Sequence, residues 1–189
     1  MAFNLEKGGR FNLSKEAPTM TKVKLGLGWD ANGFDTGVDF DLDVSVFGLG
    51  ASGKIVNNDH FIFYNQPKTP NGSIVHTGDN RKGDAVGDDE GVDVDLSLLS
   101  ADVTELSVIV TIDKATERKQ NFGQVKNSYI RMVNADTGVE LARYSLEDDF
   151  SAETAVQFGS LYKKDGQWLF KAVGAGFKKG LADFVTAYT

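Results

Sequence analysis

The chain has 189 residues, enough for one domain with a substantial core. With 21 Gly, 13 Phe, 3 Pro and repeated Val/Ile/Thr runs it reads as ordered and strand-rich, and the absence of cysteine excludes disulfides, thiolate zinc and a Cys nucleophile. The net charge of -7 is uneven: residues 30–43 hold five Asp and no base, and residues 79–95 hold seven acids against Arg81 and Lys82, which leaves the remainder slightly basic.

No basic stripe is offered to phosphates, so nucleic-acid binding is not expected. No apolar run approaches the ~20 residues of a membrane span, and the first residues, Met1-Ala2-Phe3-Asn4-Leu5-Glu6, lack the basic and apolar regions of a leader. The expectation is a cytoplasmic protein without a transmembrane segment, in keeping with its lack of cysteine.

Short strand candidates follow one another along the chain. They cover residues 11–13, 23–29, 39–47, 61–64, 73–76, 92–96, 106–112, 129–133, 141–145, 156–162 and 168–173. Turn chemistry separates them at Asn32-Gly33, residues 50–53, Pro70-Asn71-Gly72 and Asp136-Thr137-Gly138, and Asp165-Gly166 is a strong hairpin signal. Two stretches read as helical: residues 113–120, with Asp113 as N-cap, and residues 177–188, where Phe177, Leu181, Phe184 and Tyr188 follow helical spacing. The pattern predicts an all-β fold, an antiparallel β-sandwich with short peripheral helices, as a single domain over residues 1–189. The last helix is expected to close one end.

The organising stretch is Asp39-Phe40-Asp41-Leu42-Asp43-Val44-Ser45-Val46-Phe47. Its period of two puts Phe40, Leu42, Val44 and Val46 on a core face and Asp39, Asp41 and Asp43 on the other. Same-face neighbours on a strand are roughly 6.6 Å apart. Two carboxylates about 7 Å apart repel by roughly 2 kcal/mol at an effective dielectric of 20. Three in a row without a local base call for water or a cation to screen them.

The second acidic window, residues 78–90, is a glycine-punctuated loop carrying carboxylates and the Asn80 carbonyl. Calcium takes six to eight oxygens, which flexible loops supply readily. The pattern therefore suggests Asp39 and Asp41 at a strand end facing this loop, with Asp30 adding a carboxylate. It is not an EF-hand: Val44 and Gly50 stand where the turn Gly and bidentate Glu are required. Oxygen donors without Cys favour calcium over zinc or copper, and magnesium is a further option. Two other readings stay open at this level. One is a solvated acidic edge binding no ion. The other is a metal-dependent hydrolase using the same acids. His60 and His76 belong to no recognisable catalytic order and read as polar strand-end residues, His76 three positions before Asp79. Trp29 and Trp168 read as core.

Several motifs together resemble the TerD family of tellurite-resistance and general stress proteins. They are the start Leu5-Glu6-Lys7-Gly8-Gly9, a Gly26-Leu27-Gly28-Trp29-Asp30 turn, Asp39-Phe40-Asp41-Leu42-Asp43, Phe63-Tyr64-Asn65 and His76-Thr77-Gly78-Asp79-Asn80. Gly87-Asp88-Asp89-Glu90 and Gln120-Asn121-Phe122-Gly123-Gln124-Val125 extend the match to about Phe177. The resemblance implies a β-sandwich that binds calcium, more than one ion, in a bacterial cytoplasmic protein that is not an enzyme. Its implied ligands are Asp30, Asp39, Asp41, Asp79, Asn80, Asp88, Asp89 and Glu90. It also implies protein partners, including other tellurite-resistance proteins. Ala85-Val86 departs from relatives that carry Gly or acid there. With no thiol, direct reduction of tellurite by this chain is not expected.

Overall fold

The structure is a computed structural model and describes residues 2–30, 39–78, 87–146, 150 and 152–189. Among them twelve strands form two six-stranded sheets. In chain order the strands are β1 (Phe3–Leu5), β2 (Arg10–Asn12), β3 (Lys22–Gly28), β4 (Leu42–Leu49), β5 (Phe61–Ile62) and β6 (Ile74–Thr77). After them come β7 (Glu90–Asp95), β8 (Glu105–Ile112), β9 (Tyr129–Asn134), β10 (Glu140–Ser145), β11 (Ala155–Lys164) and β12 (Gln167–Phe177). One sheet runs β1-β10-β9-β3-β7-β6 and the other β2-β12-β11-β8-β4-β5.

The period-two apolar faces explain why the sheets stack. Leu25 and Leu27 of β3 and Val92 and Val94 of β7 are buried against Val44 and Val46 of β4, Val108 and Val110 of β8, and Phe158 and Phe170 of β11 and β12. Trp29 and Trp168 belong to the same core. All strand pairings are antiparallel except that of β1, which runs parallel to β10 with Phe3 opposite Ala142. The sequence reading missed this three-residue edge strand, because three residues carry too little periodicity to register.

Asp165 and Gly166, with φ of 51° and 75°, form the hairpin turn expected between β11 and β12. Positive φ at both central residues matches the right-handed twist of the strands. The 61–64 segment yields only Phe61–Ile62 as strand.

The helical segments are shorter than expected. The first is a single turn, α2 (Ala115–Arg118), preceded by another single turn, α1 (Leu13–Glu16). Asp113 does not cap α2: its N–H continues the β4–β8 pairing to the Asp41 carbonyl, and Lys114 at φ 49° begins the turn instead. The C-terminal helix is α3 (Leu181–Tyr188), because Phe177 still pairs with Ala155 in the sheet. It does not close an end of the sandwich. It lies on the outer face of the second sheet, where Phe184 packs with Phe47, Leu49, Ile109 and Ala155 in a small separate core.

Phe158 is fully buried between the sheets, 6.5 Å from the Tyr144 ring. Phe158→Ala should lower unfolding free energy by about 3–5 kcal/mol through lost burial and the cavity left behind. Denaturant titration with an unchanged m-value would read this directly.

Candidate functional site

The end of the sandwich carrying the acids is built by strand termini. β3 runs toward it and exits through Trp29 and Asp30, while β7 starts there opposite Leu27. β6 runs toward it, Thr77 opposite Gly91. In the other sheet β4 begins and β8 finishes at this end, Leu42 opposite Ile112. Residues 30 and 39, and 78 and 87, which flank the two longest stretches outside the described residues, therefore all belong to one end. Asp79 and Asn80 lie outside the described residues.

Phe40 and Leu42 are buried, while Asp39 is exposed and Asp41 and Asp43 half-buried. The alternation thus holds from residue 40, although regular pairing starts only at Leu42. The Asp39 carbonyl accepts a hydrogen bond from Gln120 Nε2 at 3.3 Å. The Asp41 carboxylate stands 3.9 Å from Arg118, which also pairs with Asp113 at 3.1 Å. Asp30, exposed, accepts from Asn127 Nδ2 at 2.6 Å.

Asp89 and Glu90 are of another kind, 5% and 3% exposed. The Asp89 N–H donates to the Leu27 carbonyl, and its Oδ2 accepts from the Trp29 N–H at 3.0 Å. Glu90 opens β7 on the inward side and its Oε2 accepts from the Val44 N–H of the other sheet at 2.7 Å. β5 pairs only Val46 and Phe47 on that edge of β4, so Val44 lies beyond the ladder and meets a side chain. His76 Nε2 approaches the same Glu90 oxygen at 3.8 Å, which places this histidine beside the acidic end as its spacing suggested.

Asp88 sits apart, on the outer face of the first sheet. Arg131 of β9 grips it with two prongs, Nε to Oδ1 at 2.7 Å and Nη2 to Oδ2 at 3.1 Å. Tyr129 donates to Oδ1 at 3.2 Å, and Lys24 Nζ is 3.7 Å away. Arg131 also pairs with Glu140 at 2.9 Å, and Arg143 binds Glu140 and lies over the Tyr129 ring, 4.0 Å from its centroid. The Arg143 hydrogen bond, followed by that of Arg131, holds the Glu140 carboxyl below the usual carboxylate range against the opposing effect of burial. Burial, then the charge and hydrogen bond of Asp88, push the Tyr129 phenol up. The sequence reading missed Tyr129, Arg131, Glu140 and Arg143. A signal was present: within the strand expected over residues 23–29, Gly26 and Gly28 face outward opposite Arg131 and Tyr129.

The described carboxylates are gathered without being closed into a cage. Among the described residues no three His, Asp or Glu side chains form a group that could hold a metal ion.

The TerD domain model matches residues 1–188. The chain belongs to the TerD family. It is 50% identical to general stress protein 16U of Bacillus subtilis and 50% identical to tellurium resistance protein TerD of an Alcaligenes species, in each case over the whole chain and 97% of the relative. TerD of Serratia marcescens is 48% identical over the same span. Among solved structures, a protein of unknown function is 26% identical with a TM-score of 0.68, covering 88% of this chain and 95% of that one. A homologue of telluride resistance protein (TerD) from Streptomyces coelicolor A3(2) shares the fold, at 22% identity and a TM-score of 0.71 with the same coverage. The two-sheet fold described above is thus that of a TerD-family protein. No described helix is long and apolar enough to cross a membrane.

Because the folded Glu140 carboxyl is depressed, its contribution to stability is present above the unfolded carboxylate range and is lost as pH falls through the lowered folded value. Glu140→Gln should cost at most about 1 kcal/mol at neutral pH, given its partly exposed setting. It should also flatten the acid limb of the stability–pH curve. Chemical denaturation between pH 7 and pH 3 measures both, and an acid limb identical to that of the parent would remove Glu140 from the account.

Proposed function

We propose that this chain is a calcium-binding, non-enzymatic stress-response protein of the cytoplasm, associated with tellurium resistance, whose metal-bearing end organises a surface for protein partners. One observation carries the reading: Asp30, Asp39, Asp41, Asp89 and Glu90 all lie at the same end of the sandwich, where β3 and β8 finish and β4 and β7 begin. The names of the relatives, tellurium resistance and general stress proteins, support the biological setting.

The donor set fits a hard cation. It is made of carboxylates with no thiol anywhere in the chain, the chemistry suited to calcium. Asp39 and Asp41 would hold the ion from the strand β4 side, and Asp89 and Glu90 from the β7 side, with Asp79 and Asn80 adding oxygens. Bound calcium would supply positive charge that cancels the repulsion among these acids and ties the strand ends together. Asp89 and Glu90 keep their orientation through the Trp29 and Val44 N–H groups, so the end is partly organised before any ion arrives. Partners, including other proteins of tellurium resistance, would meet a surface whose shape and charge both depend on calcium.

Calcium should raise the melting temperature and chelator should lower it, because an ion bound only by the folded state adds roughly 2.7 kcal/mol at 100 times its dissociation constant. In calorimetric titration Asp39→Asn and Asp41→Asn should each weaken binding, while Asp136→Asn, in the β9–β10 turn at the opposite end, should leave it unchanged. Without calcium Asp39→Asn should melt slightly higher, since removing one carboxylate relieves like-charge repulsion. A melting temperature indifferent to calcium would instead support a solvated acidic edge.

A further inference from the structure

The side chain of Asp88 makes an unusual crossing. It lies two residues before β7, yet its partner Arg131 is on β9, and β3 runs between them. Next-nearest strands are roughly 9.6 Å apart, twice the neighbour spacing. The crossing passes over Gly26, which is opposite Gly91 of β7 on one side and Arg131 of β9 on the other. A Cβ at Gly26 would overlap the Asp88 carboxylate itself. Gly26 has no positive φ, so the glycine serves space rather than backbone conformation. Both Asp88 oxygens are occupied by Arg131 and one also by Tyr129. The two residues that follow, Asp89 and Glu90, are the ones turned inward to the Trp29 and Val44 N–H groups.

We propose that Asp88, Arg131 and Gly26 form a positioning clamp. Asp88 is not itself a calcium ligand; it pins the chain just before β7 across β3 and so fixes the direction of Asp89 and Glu90 toward the metal-bearing end. This deepens the calcium reading and rests on it for its functional consequence. The charge of Arg131 is neutralised by Asp88 and Glu140 on the outer face, so it does not oppose a cation held by the residues that follow Asp88.

Charge separates the clamp from a ligand role. If Asp88 were a ligand, Arg131→Met would release its carboxylate and remove a competing cation, so calcium would bind as tightly or more tightly. The clamp requires the reverse. Arg131→Met, Arg131→Lys and Gly26→Ala should each weaken calcium binding by about 10-fold or more, the usual effect of losing a group that orients ligands. Arg131→Lys keeps the charge but cannot make the two-pronged contact, and Gly26→Ala changes no charge at all. Asp88→Asn combined with Arg131→Met should be no worse than either alone. Titrations run where every variant is folded keep global stability out of the comparison.

A second readout needs no metal. In calcium-free protein, amide hydrogen exchange at Trp29 and Val44 should accelerate in the three clamp variants, while that at Val110 in the β8 core should not. Arg131→Met binding calcium as tightly as the parent, or unchanged exchange at Trp29 and Val44, would overturn the clamp. Faster exchange at those two amides in the variants, with a parent that binds no calcium, would uphold the clamp and defeat the calcium reading alone.

Discussion

The fold turns on a carboxylate placed between two sheets. Glu90 enters the interior from the first residue of β7 and accepts the N–H of Val44 in the opposing sheet. A buried backbone N–H left without a partner costs about 1–3 kcal/mol, and a buried carboxylate without donors costs more. Each group removes the penalty of the other. The tie also sets where the two sheets meet at this end, because Val44 is fixed by its pairing with Val110 and Glu90 by its pairing with Leu27. Asp89 repeats the device one residue earlier within a single sheet, through Trp29. The acidic end is therefore part of the architecture and not a decoration of its surface.

Much of the architecture was legible because two-residue periodicity is a strong signal when one face is buried. β8 reads as a near-continuous apolar run since one face packs in the main core and Ile109 packs on the other in the small core with Phe184. Asp165-Gly166 marked its hairpin because few dipeptides satisfy two positive φ values. The misreadings share a cause. Residues 113–114 look helical in isolation, but the β4–β8 pairing extends through Asp113 and postpones the helix. Phe177 fits a helical stripe with Leu181 and Phe184, yet the ladder to Ala155 holds it in β12. In both places a long-range hydrogen bond overrode a local preference, and no local pattern reveals such a bond.

The acidic end divides along the same line. That Asp39, Asp41 and Asp43 alternate with buried residues was visible in the sequence. That Asp88 would leave its neighbours and reach over a strand was not, since it depends on three strands lying side by side. Gly-x-Gly within a strand was the available clue. Isolated glycines in a strand mark close approach of another group, and here the approaching groups are the Asp88 carboxylate and the Tyr129 ring.

A run of adjacent acids can thus hold members with opposed tasks. Asp88 is neutralised by arginine on the outer face and acts on conformation. Asp89 and Glu90 accept backbone N–H groups, of Trp29 and Val44, which orient each carboxylate. Pairing all three with arginine would make the end stable and electrostatically inert; pairing none would leave the acids repelling one another without fixed direction. The run thus divides by face: Asp88 is tied across β3 on the outer face, while Asp89 and Glu90 are oriented from behind by the backbone of Trp29 and Val44.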